Sequence, residues 1–526
     1  MTGSITGSAV KLPLSGRIDS NNAAEAEDAV RKALGGSMPD ELVLDAAGLE
    51  YISSAGLRML LRLNKDIGTI SIVNVCSEVY EIFEMTGFTE MLHIEKAYRT
   101  ISIDGCEQIG RGANGSVYRI DNDNVVKVYK NPEALDEILH EREMAKLALI
   151  LGIPTAISYS VVKVGDSYGS EFELLNARPM SKVLAEEPEK FDWCVKEFAG
   201  LLKKLHSTSV PEGKLPSIKD LALKYANQMQ SFLPEDAWKK LVSLVEAVPE
   251  NLHLVHGDFH TKNVMLQNDE VLLIDMDTLA VGDPIFELSP IYNAFIGFHE
   301  YDHEGIMRFQ GFDYDTGVRF YYAVLSEYLG TKCETKLREV TNKCRILSYS
   351  RLISRTLRHK IADTEKSCAE LALWTEELME LLPVTDTLTF SKDELLIPAE
   401  RKNLDEVLRF IDEHIGAMAP SEKARMQLNI AAEEIFVNIS DYAYSPGRGN
   451  AKVHITAHPE ERAVTVEFQD RGMPYDPLKR EDPDVTLSAS ERTPGGLGIF
   501  LTKKLTDDVS YEYKDGKNVL KFLKKL

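Results

Sequence analysis

Cysteine is scarce and scattered: six in 526 residues, at positions 76, 106, 194, 333, 344 and 368, with no Cys-x-x-Cys pair. That spacing excludes a disulfide framework or a zinc site of paired cysteines and points to a reducing compartment. Long apolar runs are missing too. No stretch of 18 apolar residues occurs, and the opening MTGSITGSAVKLPLSGRID lacks a basic region followed by an apolar one. A soluble, cytoplasmic protein with no membrane segment is therefore expected. Positive charge falls short as well, with 60 Lys+Arg against 83 Asp+Glu and a net charge of −23. Nucleic acid as a partner requires basic patches and is disfavoured; the excess acid reads as a solvated surface. Tryptophan is limited to 193, 238 and 374, each inside a helical pattern and so assigned to core.

What is present is organised around Leu254 to Asp277, LVHGDFHTKNVMLQNDEVLLIDMD. An apolar strand end leads to a polar loop, an apolar stretch, a turn at 267–269, and the run Val271-Leu272-Leu273-Ile274 ending in acids. Asp258 and Asn263 stand five residues apart, and Asp275 follows Asp258 by seventeen. Phosphoryl transfer from a nucleotide uses such a set: one carboxylate orients and deprotonates an acceptor hydroxyl, while an amide and a second carboxylate hold magnesium against the phosphates. His256 reads as a brace for the loop rather than a base. Upstream, Ile109-Gly110-Arg-Gly112-Ala-Asn-Gly115-Ser-Val-Tyr118 is followed by Val117 to Ile120, a turn at 121–124, and Val125-Val126-Lys127-Val128-Tyr129. A glycine-rich turn followed by a hairpin, not a helix, fits a loop that covers nucleotide phosphates, with Lys127 contacting them.

The order His-Gly-Asp, four residues, Asn, then Ile-Asp resembles the catalytic and metal loops of aminoglycoside phosphotransferases and related small-molecule kinases. Gly282-Asp-Pro284 fits the same family. The resemblance implies a bilobal, protein-kinase-like fold binding ATP and Mg2+, with Asp258 as base, Asn263 and Asp275 on metal, and Gly110, Gly112, Gly115 and Lys127 on the nucleotide. The carboxylate partner of Lys127 should lie on the helix holding His140-Glu-Arg-Glu-Met144, where Glu143 is favoured over Glu141. Helical segments at Phe191 to His206 and Ile218 to Phe232 resemble the helical lobe of aminoglycoside and choline kinases, and 286–382 is largely helical. Tyr292, Phe295, Phe298, Tyr321 and Tyr322 in that stretch line either a pocket or a core.

At 526 residues the chain exceeds one core, and about 150 residues per domain predicts three or four. Before the kinase-like part, strands at Val10 to Leu14, Glu41 to Leu44 and Ile70 to Val75 alternate with helices at Asn21 to Leu34, Ser54 to Ile67 and Val79 to Met85. This order predicts a small sheet with helices against it. The order and the run DAAGLEYISSAGLRMLL (45–61) resemble the STAS fold of anti-sigma-factor antagonists, a βα sandwich. In that family a serine or threonine immediately before the glycine, at a helix N-terminus, accepts phosphate, and the free amides there stabilise the added charge. Here Ala55 precedes Gly56, with Ser54 and Ser53 behind it. Either Ser54 or Ser53 is the acceptor, or the domain docks without phosphorylation and Ser54 is a helix cap.

After Pro383 and the polar stretch 384–393, helices are predicted at Lys402 to Ile415 and Glu422 to Tyr442. Glu434 and Asn438 share a face of the second. Phe468-Gln-Asp470-Arg-Gly472 ends a strand, and Pro494-Gly495-Gly496-Leu-Gly498 opens a helix. A glycine-rich helix N-terminus is a phosphate site, and an acid in Asp-x-Gly can accept from an adenine amino group. Asn438 can then hold magnesium, and Glu434 can activate a hydroxyl or water. With closing strands at Val509 to Tyr513 and Val519 to Phe522, these elements resemble the GHKL ATP-binding fold of anti-sigma-factor serine kinases, an α/β sandwich. Domain limits of 1–98, 99–383 and 384–526 follow.

The fold class expected is thus multidomain α/β and α+β. STAS and GHKL domains are the two halves of bacterial partner switches, so the resemblances imply a regulatory ATP-dependent phosphotransferase. Expected partners are ATP at two sites, a STAS or GHKL domain in cis or in trans, and a sigma factor or other regulator downstream. The alternatives are a small-molecule kinase with regulatory flanks, or a non-catalytic nucleotide-gated scaffold.

Overall fold

The computed structural model describes residues 4–6, 9–35, 39–111, 115–156, 158–175, 177–267, 270–358, 364–416, 418–479 and 497–526. The chain divides into two compact units, Met1–Arg142 with Ile157–Leu174, and Glu143–Ala156 with Leu175–Leu526.

The first unit holds two sheets. In the N-terminal one, Ser4–Thr6 pairs antiparallel with Ala9–Ile18, and Ala9–Ile18, Glu41–Ile52, Ile70–Val75 and His93–Lys96 follow in parallel. Alternation buries Leu12, Leu14, Leu42, Leu44 and Ala46. The helices Ala23–Leu34, Ser54–Ile67 and Ser77–Met85 pack their apolar stripes onto this core. The strand expected to end at Leu44 runs on to Ile52, because Leu49 and Ile52 are also buried and two register shifts let Ala9–Ile18 stay paired with it. A Cβ on Gly56 would lie 2.6 Å from Ile52 Cγ1, so glycine lets the helix start press against the strand end. The second sheet has the order Arg99–Ile101, Ser158–Val164, Ser167–Glu173, Asn124–Tyr129, Gly115–Arg119, Glu107–Arg111. It contains the expected hairpin, with Val117 opposite Lys127.

The second unit is largely helical through residue 384, around one core that includes Phe198, Phe259, Phe295, Phe320 and Tyr321. Trp374 is buried, and Trp193 and Trp238 pack against that core. Of the aromatics left open above, Tyr292, Phe295 and Tyr321 are core residues, while Tyr322 is exposed. The helix expected to reach Phe232 stops at Gln228, where the chain turns to bury Met229 and Leu233. Beyond it, Glu394–Pro398, Asn450–His458, Ala463–Asp470, Lys517–Lys525 and Asp508–Lys514 form an antiparallel sheet in that order. Leu404–Gly416 and Glu422–Asn438 cover it. The latter was expected to run to Tyr442; instead it passes into a π turn, Ile439–Ala443.

The helix Glu334–Arg358 ties these parts together. At its start Cys333 is fully buried in the core of the C-terminal sheet, Thr335 donates to Glu406, and Thr331 donates to Glu413. Further along, Lys343 donates to the Thr389 carbonyl at 2.7 Å. Among the described residues no helix is long and apolar enough to cross a membrane.

Candidate active site

Lys127 projects from the hairpin strand, and its Nζ lies 2.9 Å from both carboxylate oxygens of Glu141. Tyr129 also donates to Glu141, and the ammonium sits 5.1 Å from the Tyr129 ring centre. The partner is therefore Glu141 and not the favoured Glu143. On the helix Leu135–Ile150, Ile138, Glu141, Ala145 and Ala148 form the buried stripe, whereas Glu143 faces solvent. The 3/4 spacing of 138, 141, 145 and 148 was the available signal. Gly110 and Gly115 lie on the strands Glu107–Arg111 and Gly115–Arg119; Gly112 falls outside the described residues.

In the second unit, the loop after Leu254–Val255 is held from behind. Gly257 has φ +82°, and a Cβ there would lie 2.7 Å from the Thr278 carbonyl, so only glycine fits. The fully buried Glu287 carboxylate accepts from the backbone N–H of His256 and, at 3.1 Å, of Gly257. Burial pushes the Glu287 carboxyl up to about 7, against the pull of those N–H donors. His256 is wholly buried, with Nε2 3.1 Å from the Ile274 carbonyl, and burial lowers its pKa. Through that contact its ring braces the loop.

Asp258 projects part-exposed, with Oδ2 3.6 Å from His260 Nε2. Burial works to raise its pKa, but His260 and the Arg351 charge outweigh that and hold the carboxyl below its ordinary value. Asn263 is buried and donates to the Asp258 carbonyl at 3.0 Å. The hairpin Val264–Gln267/Glu270–Leu273 then folds back, so that Ile274 N–H donates to the Asn263 carbonyl at 2.9 Å. This places Asp275 beside Asn263, in a left-handed conformation (φ 67°, ψ 63°) that aspartate tolerates better than most residues. Glu287 and Arg351, whose Nη1 lies 3.4 Å from the Gly257 carbonyl, were not found from sequence.

In the C-terminal sheet, Asp470 ends its strand and is buried. Its Oδ1 accepts from Gly472 N–H and from Asn518 Nδ2, each at 2.8 Å. Asn518 sits directly opposite on Lys517–Lys525 and also receives the Tyr511 hydroxyl at 2.7 Å. This residue too went unrecognised in the sequence. A Cβ on Gly472 would lie 2.1 Å from the Ala443 carbonyl, and Met473 N–H donates to that carbonyl at 2.9 Å. The Asp-x-Gly turn is thus fastened to the π turn that follows Asn438. Gly498, in the first turn of Leu497–Leu505, faces Glu434: a Cβ there would sit 2.1 Å from Glu434 Oε2. Burial, with Glu433 adding repulsion, raises the Glu434 pKa. Gly498 thus meets Glu434 and the Asp470–Gly472 turn meets the segment after Asn438, while Gly495 and Gly496 fall outside the described residues.

At the first helix of interest, the cap is Ser53 and not Ser54: Ser53 Oγ accepts from Ala55 N–H at 3.2 Å. Ser54 is the first helical residue and is exposed. Its helical backbone passes the capping role to the residue before it.

The structure thus presents a lysine–glutamate pair on a hairpin, an acid–amide–acid loop, and helices over a C-terminal sheet. Family models match three stretches of the chain. The Mlab, STAS domain model matches residues 1–93, the phosphotransferase enzyme family 105–324, and the histidine kinase-like ATPase domain 397–524. Over 100 residues the chain is 33% identical to serine/threonine-protein kinase BtrW of Bordetella bronchiseptica, covering 19% of this chain and 70% of that one. The chain belongs to the family of that kinase, and it is a kinase that also carries STAS and phosphotransferase domains. Similar solved structures include ADP-bound aminoglycoside phosphotransferase APH(2'')-Ib, 16% identical over 57% of this chain and 96% of that one, with a TM-score of 0.37. The streptomycin–ATP complex of APH(2'')-IIa matches at 16% over 57% and 97%, with the same TM-score of 0.37.

Proposed function

We propose that this chain is an ATP-dependent phosphotransferase in a partner-switching regulatory system, with domains at 1–98, 99–383 and 384–526. In the middle domain the acceptor hydroxyl oxygen attacks the γ-phosphorus as its proton passes to Asp258. The bond to the β,γ-bridging oxygen breaks, and ADP leaves with the electron pair. The observation that carries this reading is the placement of Asp258: its carboxyl stands part-exposed beside His260, on a loop fastened by Glu287, His256 and Asn263. Lys127, fixed by Glu141, supplies positive charge for nucleotide phosphates. Asn263 and Asp275 would each offer an oxygen to Mg2+, a hard cation suited to such donors. When bound, the ion neutralises charge that develops on the phosphates.

In the C-terminal domain, Asp470 is oriented by Gly472 and Asn518 to accept from adenine, Asn438 offers an oxygen to a second Mg2+, and the raised pKa of Glu434 suits a general base. Kinship with a serine/threonine kinase supports a serine hydroxyl as the target of this second site. Exposed Ser54 is the candidate acceptor on a STAS domain, and Ser53 is occupied as a cap. Asp258→Asn tests the middle site. Nucleotide binding should persist while transfer falls by roughly 10²–10⁴-fold; wild-type turnover by this variant would remove Asp258 from the mechanism. Intact-mass spectrometry after incubation with ATP, on wild type and Ser54→Ala, locates any phosphate on the STAS domain.

A further inference from the structure

A second histidine, His260, follows His256 in the same loop. It is buried, and its ring is held on several sides. Lys262 N–H donates to Nδ1 at 3.3 Å. The Phe309 ring meets it edge-on with 5.3 Å between centroids, and Lys262 Nζ lies over Phe309, 4.9 Å from its centre. Thr261, fully buried, donates to Gln310 at 2.8 Å and so ties the loop to the helix Glu304–Gln310 that carries Phe309. A ring nitrogen that accepts a hydrogen bond carries no proton, so the proton of His260 sits on Nε2. That atom lies 3.6 Å from Asp258 Oδ2. His256 makes the same local contact, with Asp258 N–H donating to its Nδ1 at 3.3 Å, but spends Nε2 on the Ile274 carbonyl. One histidine therefore serves the backbone, and the other stands at the carboxylate.

The Asp258 side chain is 44% exposed, and the last torsion of an aspartate is broad. Left alone, its carboxylate turns, whereas a base must keep one oxygen in line with the hydroxyl it deprotonates. A separation of 3.6 Å is longer than a hydrogen bond, and contacts of this kind often tighten once substrate fills a catalytic site. We propose that His260 is the positioning residue of this site: its Nε2–H closes on Asp258 Oδ2 and leaves Oδ1 to take the proton of the acceptor. This rests on the phosphotransferase reading above. His260 keeps its own proton throughout. The acceptor oxygen bonds to the γ-phosphorus, its proton passes to Oδ1, and ADP departs with the electrons of the broken bridge bond.

The test follows ADP release by the full chain with Mg-ATP and water as the acceptor, taking the rate left in Asp258→Asn as the background of the C-terminal site. Three substitutions separate the contacts of the ring. His260→Phe keeps the packing on Phe309 but has no nitrogen. His260→Gln reaches the Nε2 position with an N–H. His260→Asn reaches only the Nδ1 position, where its oxygen still receives Lys262 N–H. His260→Phe should lower kcat roughly 10- to 100-fold, as loss of a hydrogen bond to a charged group implies, with KM for ATP and the melting midpoint unchanged. His260→Gln should recover most of that loss, and His260→Asn little of it. A long-range proton–nitrogen correlation spectrum of the histidine-labelled chain, with the His260 signals assigned by their absence from His260→Gln, should show a protonated Nε2 and a bare Nδ1. Recovery by His260→Asn but not by His260→Gln would make the residue a loop cap and overturn the proposal. So would wild-type kcat in His260→Phe, or a proton on Nδ1. In each of those cases Asp258→Asn still falls below wild type and the phosphotransferase reading stands. Equal rates for Asp258→Asn and wild type would defeat both.

Discussion

Replacing Glu141 by glutamine should disable the middle domain, whereas the same change at Glu143 should leave it intact. Glu141 holds Lys127 by two contacts of 2.9 Å, with the lysine side chain 20% and the glutamate side chain 9% exposed. Contacts of this kind to charged groups are each worth about 1.5–3 kcal/mol. Glutamine keeps one oxygen for Lys127 and turns an NH2 toward it. The net loss is then about 3 kcal/mol, or roughly 10²-fold in kcat/KM for ATP at 1.4 kcal/mol per decade. Glu143 is exposed and should shift the same quantity by less than about twofold. The assay is steady-state ADP release against ATP concentration, with calorimetric melting to show that both variants fold. If Glu143→Gln were impaired and Glu141→Gln were not, the helix phase described here would be wrong.

Gly472→Ala should abolish nucleotide binding by the C-terminal domain, since its Cβ would meet backbone at 2.1 Å, whereas Gly498→Ala meets only the movable end of Glu434 and should be milder; equal calorimetric affinities would refute this. Glu339 neutralises Lys336 (3.0 Å) and Lys343 (2.6 Å), and both lysines are buried. Glu339→Gln should therefore cost about 3–5 kcal/mol and lower the melting midpoint by about 10 °C, and an unchanged midpoint would show that the cluster is dispensable. The Glu287 carboxyl is raised from 4.5 to about 7 in the folded state. Folding is then favoured where it is protonated, and stability should fall as pH rises from about 4.5 to 7. Glu287→Gln should flatten that slope in urea titrations, and an unaltered pH profile would assign the slope to another group.

Much of the candidate site is local in the chain, and its spacing was legible there. Asp258, Asn263 and Asp275 span one loop and the strand pair Val264–Gln267/Glu270–Leu273, whose pairing brings the chain back on itself. Lys127 is placed by a two-strand alternation of the same kind, and Glu434 and Asn438 by one helical turn. Gly257 and Gly472 stand where side chains are excluded, although the sequence alone does not say by what. Tertiary structure decided the rest. Which face of Leu135–Ile150 turns inward depends on the surface that buries it, and that selected Glu141. Ser53 became the cap because Ser54 adopts helical backbone, a choice of one residue that propensity cannot make. Glu287 and Arg351 reach Gly257 from 30 and 94 residues away, and Asn518 reaches Asp470 from 48. Spacing along the chain determines contacts within a turn or a hairpin because covalent geometry limits the alternatives; contacts between distant segments are chosen by packing and burial, which no local pattern records.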